Sequence, residues 1–132
     1  MIARTDARVV TVDKLTYAGN LDSLAPVLDH ERHAFERVDI CDEAAVRQLF
    51  ETYRPQAVMH LAAESHVDRS IDGPGEFVRT NVTGTFTLLH AARAYWGELE
   101  GGARDRFAAL RVALRVYLAG ANGDPVSTKD FY

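Results

Sequence analysis

Residues 57–63, AVMHLAA, are almost continuously apolar over the length of one β-strand. A strand covered by helices on both faces needs apolar side chains on both sides, whereas a half-exposed strand alternates polar and apolar residues. This stretch therefore predicts a central strand of a parallel sheet. Because parallel neighbours cannot be joined by a tight hairpin, helices are expected before and after it along the chain.

The flanking segments fit that alternation of strands and helices. Parallel strands are predicted near residues 8–13 and 34–38, each closed by an aspartate, Asp13 or Asp39. Asp42 is expected to cap a helix that runs to about Tyr53, and its apolar residues form one stripe. The longest predicted helix covers about residues 75–96, with Pro74 near its entrance and Gly97 at its exit.

The remaining segments carry weaker patterns. Residues 21–28 predict a short helix interrupted near Pro26, and residues 101–106 read as a polar connector. Residues 107–118 fit either another helix or a helix followed by a strand. Strands alternating with helices predict an α/β fold, a partial Rossmann-like doubly wound parallel sheet, in one domain over residues 1–132.

Composition excludes several classes of protein. Lys plus Arg total 15 against 19 Asp plus Glu, for a net charge of -4, so no nucleic-acid footprint is expected. No apolar run approaches the length of a membrane span and no signal peptide is apparent, which predicts a soluble cytoplasmic protein without membrane partners. Cys41 is the only cysteine and is interpreted as a small strand-end side chain, and the histidine spacing predicts no metal site.

Asp13 is the first candidate site residue. An acidic residue after a strand is where dinucleotide-binding folds place the acceptor for the adenosine ribose hydroxyls, and its charge disfavours a 2'-phosphate. Taken alone, Asp13 fits a turn-forming acid that bonds local amides better than a cofactor ligand. The surrounding segments favour the dinucleotide interpretation.

Four segments carry a resemblance to a known family. They are residues 12–24 (VDKLTYAGNLDSL), 38–42 (VDICD), 59–74 (MHLAAESHVDRSIDGP) and 80–96 (TNVTGTFTLLHAARAYW). Together they resemble the dTDP-glucose 4,6-dehydratase family, nucleotide-sugar enzymes of the extended short-chain dehydrogenase/reductase type. The resemblance spans about residues 9–107, and residues 108–132 diverge from it.

The resemblance implies NAD as cofactor and a set of residues that bind it. It places Asp13, Lys14, Leu15 and Thr16 around the adenosine ribose, Asp39 and Ile40 along the adenine, and Leu61, Ala62, Ala63, Glu64, Ser65 and Thr80 on the cofactor side. Ser65 is also expected near the sugar nucleotide, dTDP-glucose in the intact family. Small side chains at positions 62 and 63 allow close approach of a cofactor. Helix capping or packing is the alternative role for each.

Parts of the family pattern are not found in these residues. The family's glycine-rich phosphate loop, its Tyr-x-x-x-Lys pair and its Thr-Asp-Glu motif are absent from the sequence, and residues 1–6 resemble the tail of the family's first helix. The chain is therefore predicted to be a fragment with no catalytic residue of its own and no turnover alone.

Alternatives remain open for function and partners. A fragment of a related nucleotide-sugar epimerase or decarboxylase is one, although residues 63–70, AESHVDRS, favour a dehydratase. A non-catalytic binding or interaction module is another. By resemblance to dimeric relatives, the helix at about 75–96 is expected to pair with a second copy through a surface that includes some of Phe77, Val78, Leu88, Leu89 and Trp96.

Overall fold

Strands and helices alternate along the chain, as the sequence predicts. The computed structural model describes residues 1–17, 19–65, 71, 73–109 and 113–114. The elements are β1 (Val9–Val12), a 3-10 helix (Leu21–Leu24), β2 (His33–Glu36), α1 (Glu43–Tyr53), β3 (Met59–His60), α2 (Pro74–Val78), a π-helical segment (Arg79–Gly84), α3 (Thr85–Glu98), α4 (Gly101–Ala109) and β4 (Ala113–Leu114).

The described strands form two parallel pairs. β1 pairs with β2, with Val9 opposite His33, and β3 pairs with β4, with Met59 opposite Ala113. The predicted parallel arrangement is confirmed, although each strand is shorter than predicted. No ladder joins the two pairs within the described residues. In the usual doubly wound order, a further strand leads into the glycine-rich loop and lies between the strands that correspond to β1 and β3. Because the resemblance does not cover that strand, two separate pairs are expected.

Helix α1 forms where its capping residue and apolar spacing predict it. The Asp42 side chain accepts a hydrogen bond from the Ala45 amide at 3.0 Å, which satisfies one of the unpaired amides of the first turn. The helix ends at Tyr53, and the residue that caps it, Arg54, has a left-handed backbone (φ 44°). Val46 and Phe50 are buried on its inner face.

The predicted long helix is present as one helical run through α2, the π-helical segment and α3. Pro74 opens it, as expected for a residue without an amide hydrogen. Its predicted single apolar side is divided in the structure, because Ala91, Ala92 and Tyr95 are buried whereas other apolar residues point to solvent. The wide π turn changes the phase of the side chains, which a constant helical repeat does not anticipate. The exposed apolar residues of this helical run are Val78, Val82, Phe86 and Leu89.

The hydrophobic core lies between α1 and α3. Its buried members are Val46, Phe50, Ala91, Ala92, Tyr95 and Leu99. The rings of Phe50 and Tyr95 contact with centroids 5.4 Å apart in a tilted arrangement. Leu88 and Trp96 are partly buried against this cluster. Helix α1 follows the loop after β2 and α3 follows the π-helical segment, so this packing joins two of the segments that carry predicted site residues.

Three local predictions are corrected. Residues 21–28 form only a 3-10 helix, Leu21–Leu24, followed by turns, because Asn20 caps the turn and Pro26 cannot donate a helical hydrogen bond. The polar stretch from 101 to 106 is part of helix α4 rather than a connector. Cys41 lies in the loop between β2 and α1, not at a strand end. A helix followed by a strand is found at Gly101–Ala109 and Ala113–Leu114, and the rest of residues 107–118 is outside the described part.

Candidate dinucleotide-binding site

The loop after β1 is held by its own short hydrogen bonds. The Asp13 amide donates to the Glu36 carbonyl at 3.1 Å, and the exposed Asp13 carboxylate accepts from the Leu15 amide at 2.7 Å. Leu15 is left-handed (φ 53°), so the chain turns sharply there. A side chain at Gly19 would have its Cβ 2.8 Å from the Leu15 Cα, which explains why only glycine fits against this turn.

The loop after β2 is organised by Asp39. One carboxylate oxygen of Asp39 accepts from the Cys41 amide at 2.9 Å. The other lies 3.6 Å from Lys14 Nζ and 3.3 Å from a terminal nitrogen of Arg79. Asp39 therefore ties together the loop after β1, the loop after β2 and the start of the π-helical segment.

These contacts decide the ionisation of the groups around Asp39. Burial by itself raises the pKa of Asp39, but the hydrogen bonds from Cys41 and the charges of Lys14 and Arg79 outweigh it and lower the pKa. Burial, together with the hydrogen bond and the negative charge of Asp39, raises the pKa of the Cys41 thiol. Asp39 is thus an ionised hydrogen-bond acceptor at neutral pH, and Cys41 is a neutral thiol.

The loop after β3 presents short side chains to solvent. Leu61, Ala62, Ala63 and Ser65 are exposed, and Glu64 is half-buried. The amide and the carbonyl of Glu64 both bond to the Asn81 side chain, each at 2.8 Å. The Glu64 carboxylate accepts from the Tyr17 hydroxyl at 2.8 Å, which links the loop after β3 to the loop after β1.

The π-helical segment closes against these loops. Thr80 is buried on it. Gly84 lies so close to the loop after β2 that an added Cβ would be 2.7 Å from the Cγ1 and Cδ1 atoms of Ile40. The helix backbone at Gly84 therefore contacts the loop after β2 at Ile40, which the resemblance places along the adenine.

The structure places the predicted residues at the carboxyl ends of β1, β2 and β3 and on the facing helical segment. It brings Lys14 into contact with Asp39 directly, and it joins the loop that contains Thr16 to Glu64 through Tyr17. Within the described part of the chain, Thr80 forms no hydrogen bond or ion pair with the other predicted site residues. Sequence reasoning missed Tyr17, Arg79 and Asn81. Of the three, only Asn81 could have been noticed in the sequence, as a polar residue within the apolar pattern of the predicted long helix.

His60, at the end of β3, gives a pH-dependent prediction. It is 7% exposed and its Nε2 lies 2.9 Å from the Thr85 hydroxyl. Burial lowers the pKa of His60 below 6.5. Since the unfolded chain then binds the proton more readily, stability should be fully present above about pH 6.5 and fall as the pH drops from there through the folded-state pKa.

Urea unfolding at pH 7.5 and pH 5.5 measures this loss. His60→Gln keeps a hydrogen-bonding side chain but removes the titration, so its unfolding midpoint should change less between the two pH values than that of the unaltered chain. His90→Gln is the matched control, because His90 is exposed. Equal pH dependence of the His60→Gln variant and the unaltered chain would contradict this origin.

Other kinds of site find no support in the described residues. They hold no group of three or more His, Cys, Asp or Glu side chains that could bind a metal ion. No helix among them is long and apolar enough to cross a membrane. A surface depression of about 430 Å³ runs along the water-facing side of α1, away from every predicted site residue.

Comparison with known sequences gives the family of the chain. The family model described as GDP-mannose 4,6 dehydratase matches residues 2–109. A dTDP-glucose 4,6-dehydratase of Neisseria gonorrhoeae is 59% identical over 107 residues, 81% of this chain and 31% of that protein. The corresponding enzyme 1 of Escherichia coli K12 is 56% identical over 107 residues, 81% of this chain and 30% of that protein. The chain thus spans about a third of the length of these relatives.

Solved structures show the same fold and the limits of the match. DesIV, a dTDP-glucose 4,6-dehydratase of Streptomyces venezuelae crystallised with NAD and TYD, has a TM-score of 0.65 at 38% identity, over 75% of this chain and 34% of its own. A UDP-glucose 4-epimerase of Thermus thermophilus in complex with NAD has a TM-score of 0.56 at 30% identity, over 65% of this chain and 26% of its own. Both the family model and the sequence relatives cover most of the chain, and they show that it belongs to the GDP-mannose 4,6-dehydratase family, within which it is similar to dTDP-glucose 4,6-dehydratases.

Proposed function

We propose that this chain is the adenosine-binding part of an NAD-dependent dTDP-glucose 4,6-dehydratase, which converts dTDP-glucose to dTDP-4-keto-6-deoxyglucose. The observation that carries the proposal is the meeting of two loops, residues 13–16 and 39–40, at the carboxyl edge of a parallel strand pair. Ligands of open α/β sheets bind at that edge. The sequence relatives described above, 56% and 59% identical over 81% of this chain, are dTDP-glucose 4,6-dehydratases, which favours this reaction over epimerisation.

The residues of the two loops fit an adenosine. The exposed Asp13 carboxylate, oriented by the Leu15 amide, can accept hydrogen bonds from ribose hydroxyls, and its charge repels a 2'-phosphate. Asp39 stays ionised beside Lys14 and Arg79, so it can accept from an amino group of the base. Ile40 offers an apolar surface to the ring. When bound, NAD would supply a temporary hydride acceptor.

The loop after β3 would contribute space and backbone rather than acid–base chemistry. Ala62 and Ala63 are small and exposed, which allows a cofactor to approach the backbone closely. Ser65 is exposed and its hydroxyl can bond to the cofactor or to the sugar nucleotide. Thr80 completes the proposed cofactor side. The proposal gives this chain no catalytic residue, since its sequence contains no Tyr-x-x-x-Lys pair.

The proposal extends to a partner and a location. A second copy of the chain would pack on the exposed apolar row Val78, Val82, Phe86 and Leu89 of the helical run. Several large apolar side chains exposed along one helical run are the kind of feature that marks protein–protein contacts. The cytoplasmic location and the lack of nucleic-acid partners, both predicted from the sequence, belong to the same proposal.

Titration of the labelled chain with NAD, followed by NMR, tests the cofactor assignment. We expect binding weaker than micromolar, because these residues contain no glycine-rich loop whose amides would hold the pyrophosphate. Asp13→Ala should weaken it about tenfold or more, the effect of losing a charge-assisted hydrogen bond. Asp29→Ala is the matched control, since Asp29 is an exposed acid in the turn before β2, at the other end of the strand pair.

Three results would each contradict one part of this proposal: the expected weakness of binding, its place, or the role of Asp13. Sub-micromolar affinity for NAD would show that the phosphate loop is not needed. No chemical-shift change at residues 13–16 and 39–40 would show that NAD does not bind there. Equal weakening by Asp13→Ala and Asp29→Ala would show that the effect of Asp13 is only one of net charge.

A further inference from the structure

The Asn81 carboxamide contacts the backbone of Glu64 in both directions. The Glu64 amide donates to Asn81 Oδ1 and Asn81 Nδ2 donates to the Glu64 carbonyl, each at 2.8 Å. Both bonds are partly buried. A primary carboxamide carries a donor and an acceptor in one plane, so it can satisfy both polar groups of one residue, as a neighbouring strand would.

The loop after β3 depends on this contact for its position. β3 ends at His60, and within the described part of the chain no strand pairs with residues 61–65. A backbone without a ladder takes the path that its remaining hydrogen bonds allow. Asn81 supplies two of them from the π-helical segment Arg79–Gly84, a kind of turn that is frequent at functional sites.

Glu64 also connects the loop to the adenosine side. Its carboxylate accepts from the Tyr17 hydroxyl at 2.8 Å, so one residue is held by the helical segment through its backbone and by the loop after β1 through its side chain. Glu64 is therefore the residue through which the helical segment and the loop after β1 are both linked to the loop after β3.

We propose that Asn81 is a positioning residue, which holds residues 61–65 so that the part of the cofactor beyond the adenosine meets a preformed backbone. The role rests on the proposed NAD-binding function. Asn81 acts through Glu64 and needs no contact with the cofactor. Its replacement should therefore affect the far part of the dinucleotide and leave recognition of the adenosine intact.

Comparing two ligands separates this role from a general structural one. AMP reaches only the loops after β1 and β2, whereas NAD extends to the loop after β3. Asn81→Ala should weaken NAD binding about fivefold or more and change AMP binding by less than about twofold, because only the contacts beyond the adenosine lose their preorganisation. Thr83→Ala is the matched control, since Thr83 is an exposed residue of the same segment.

Amide hydrogen exchange gives a readout that needs no ligand. In Asn81→Ala the Glu64 amide should exchange at least about tenfold faster, since its acceptor is gone, while the amides of α1 and those of Thr83→Ala stay unchanged. Unchanged exchange at Glu64, or equal weakening of NAD and AMP binding, would overturn the positioning role alone. Absence of NAD binding by the unaltered chain would overturn the proposed function and this role with it.

Discussion

Replacing Gly84 with alanine is expected to lower the free energy of unfolding by about 1–3 kcal/mol, the usual cost of adding a methyl group to a filled interior. Gly84 is buried on the π-helical segment, and the new Cβ would lie 2.7 Å from Ile40 Cγ1 and Cδ1 and 3.2 Å from Cys41 Sγ. Either Ile40 must rotate or the helical segment must move away. Both changes disturb the loop that is proposed to carry the adenine, so NAD binding should weaken as well.

Gly97→Ala is the matched control for Gly84→Ala. Gly97 also lies in the helical run, but a Cβ there meets nothing within 4 Å. Alanine is favoured over glycine in a helix by about 0.5–1 kcal/mol, so this variant should be slightly more stable than the unaltered chain. Urea unfolding of both variants measures the difference. A Gly84→Ala chain as stable as Gly97→Ala would show that Ile40 yields without cost.

The elements with local signals could be predicted from the sequence. α1 begins and ends where Asp42 and Pro55 indicate, because capping and helix termination depend on neighbouring residues. β1 ends next to Asp13, as the sequence predicts, whereas β2 ends at Glu36, three residues before Asp39. Parallel pairing follows from the alternation with helices. The stretch 101–106 lacks an apolar stripe, so its sequence predicts a connector. The structure shows a helix there instead.

The contacts that shape the candidate site could not be predicted in the same way. Arg79 reaches Asp39 across 40 positions and Tyr17 reaches Glu64 across 47, and no local pattern marks such pairs. The family resemblance implies the positions of the candidate site residues, and the ends of the strands give a physical reason for them. The packing of the helical segment against Ile40 depends on a π turn, which a constant helical period does not include.

Two neighbouring leucines of α3, both of which the sequence placed on the expected dimer surface, lie on different sides of the helix because successive helical residues point in different directions. Leu88 is partly buried against the core cluster, whereas Leu89 is 41% exposed. Leu89 continues the exposed row formed by Val78, Val82 and Phe86, and the last two are 62% and 64% exposed. An aspartate should therefore have opposite consequences at the two adjacent positions.

Leu88→Asp is expected to lower the free energy of unfolding by at least about 2 kcal/mol, because it removes core contacts and brings a charge against apolar side chains. Leu89→Asp should change the stability of the folded monomer by less than about 0.5 kcal/mol, as exposed substitutions usually do. It should nevertheless abolish association, since a charge on each copy would face the partner's apolar row.

Light scattering at several concentrations measures association, and urea unfolding under dilute conditions measures stability. If the unaltered chain is a monodisperse monomer, or if Leu89→Asp associates as strongly as it does, the dimer surface lies elsewhere or does not form. Aggregation that persists in Leu89→Asp would point to a different exposed surface, such as the edges of β1 and β3 with which no strand of the described residues pairs.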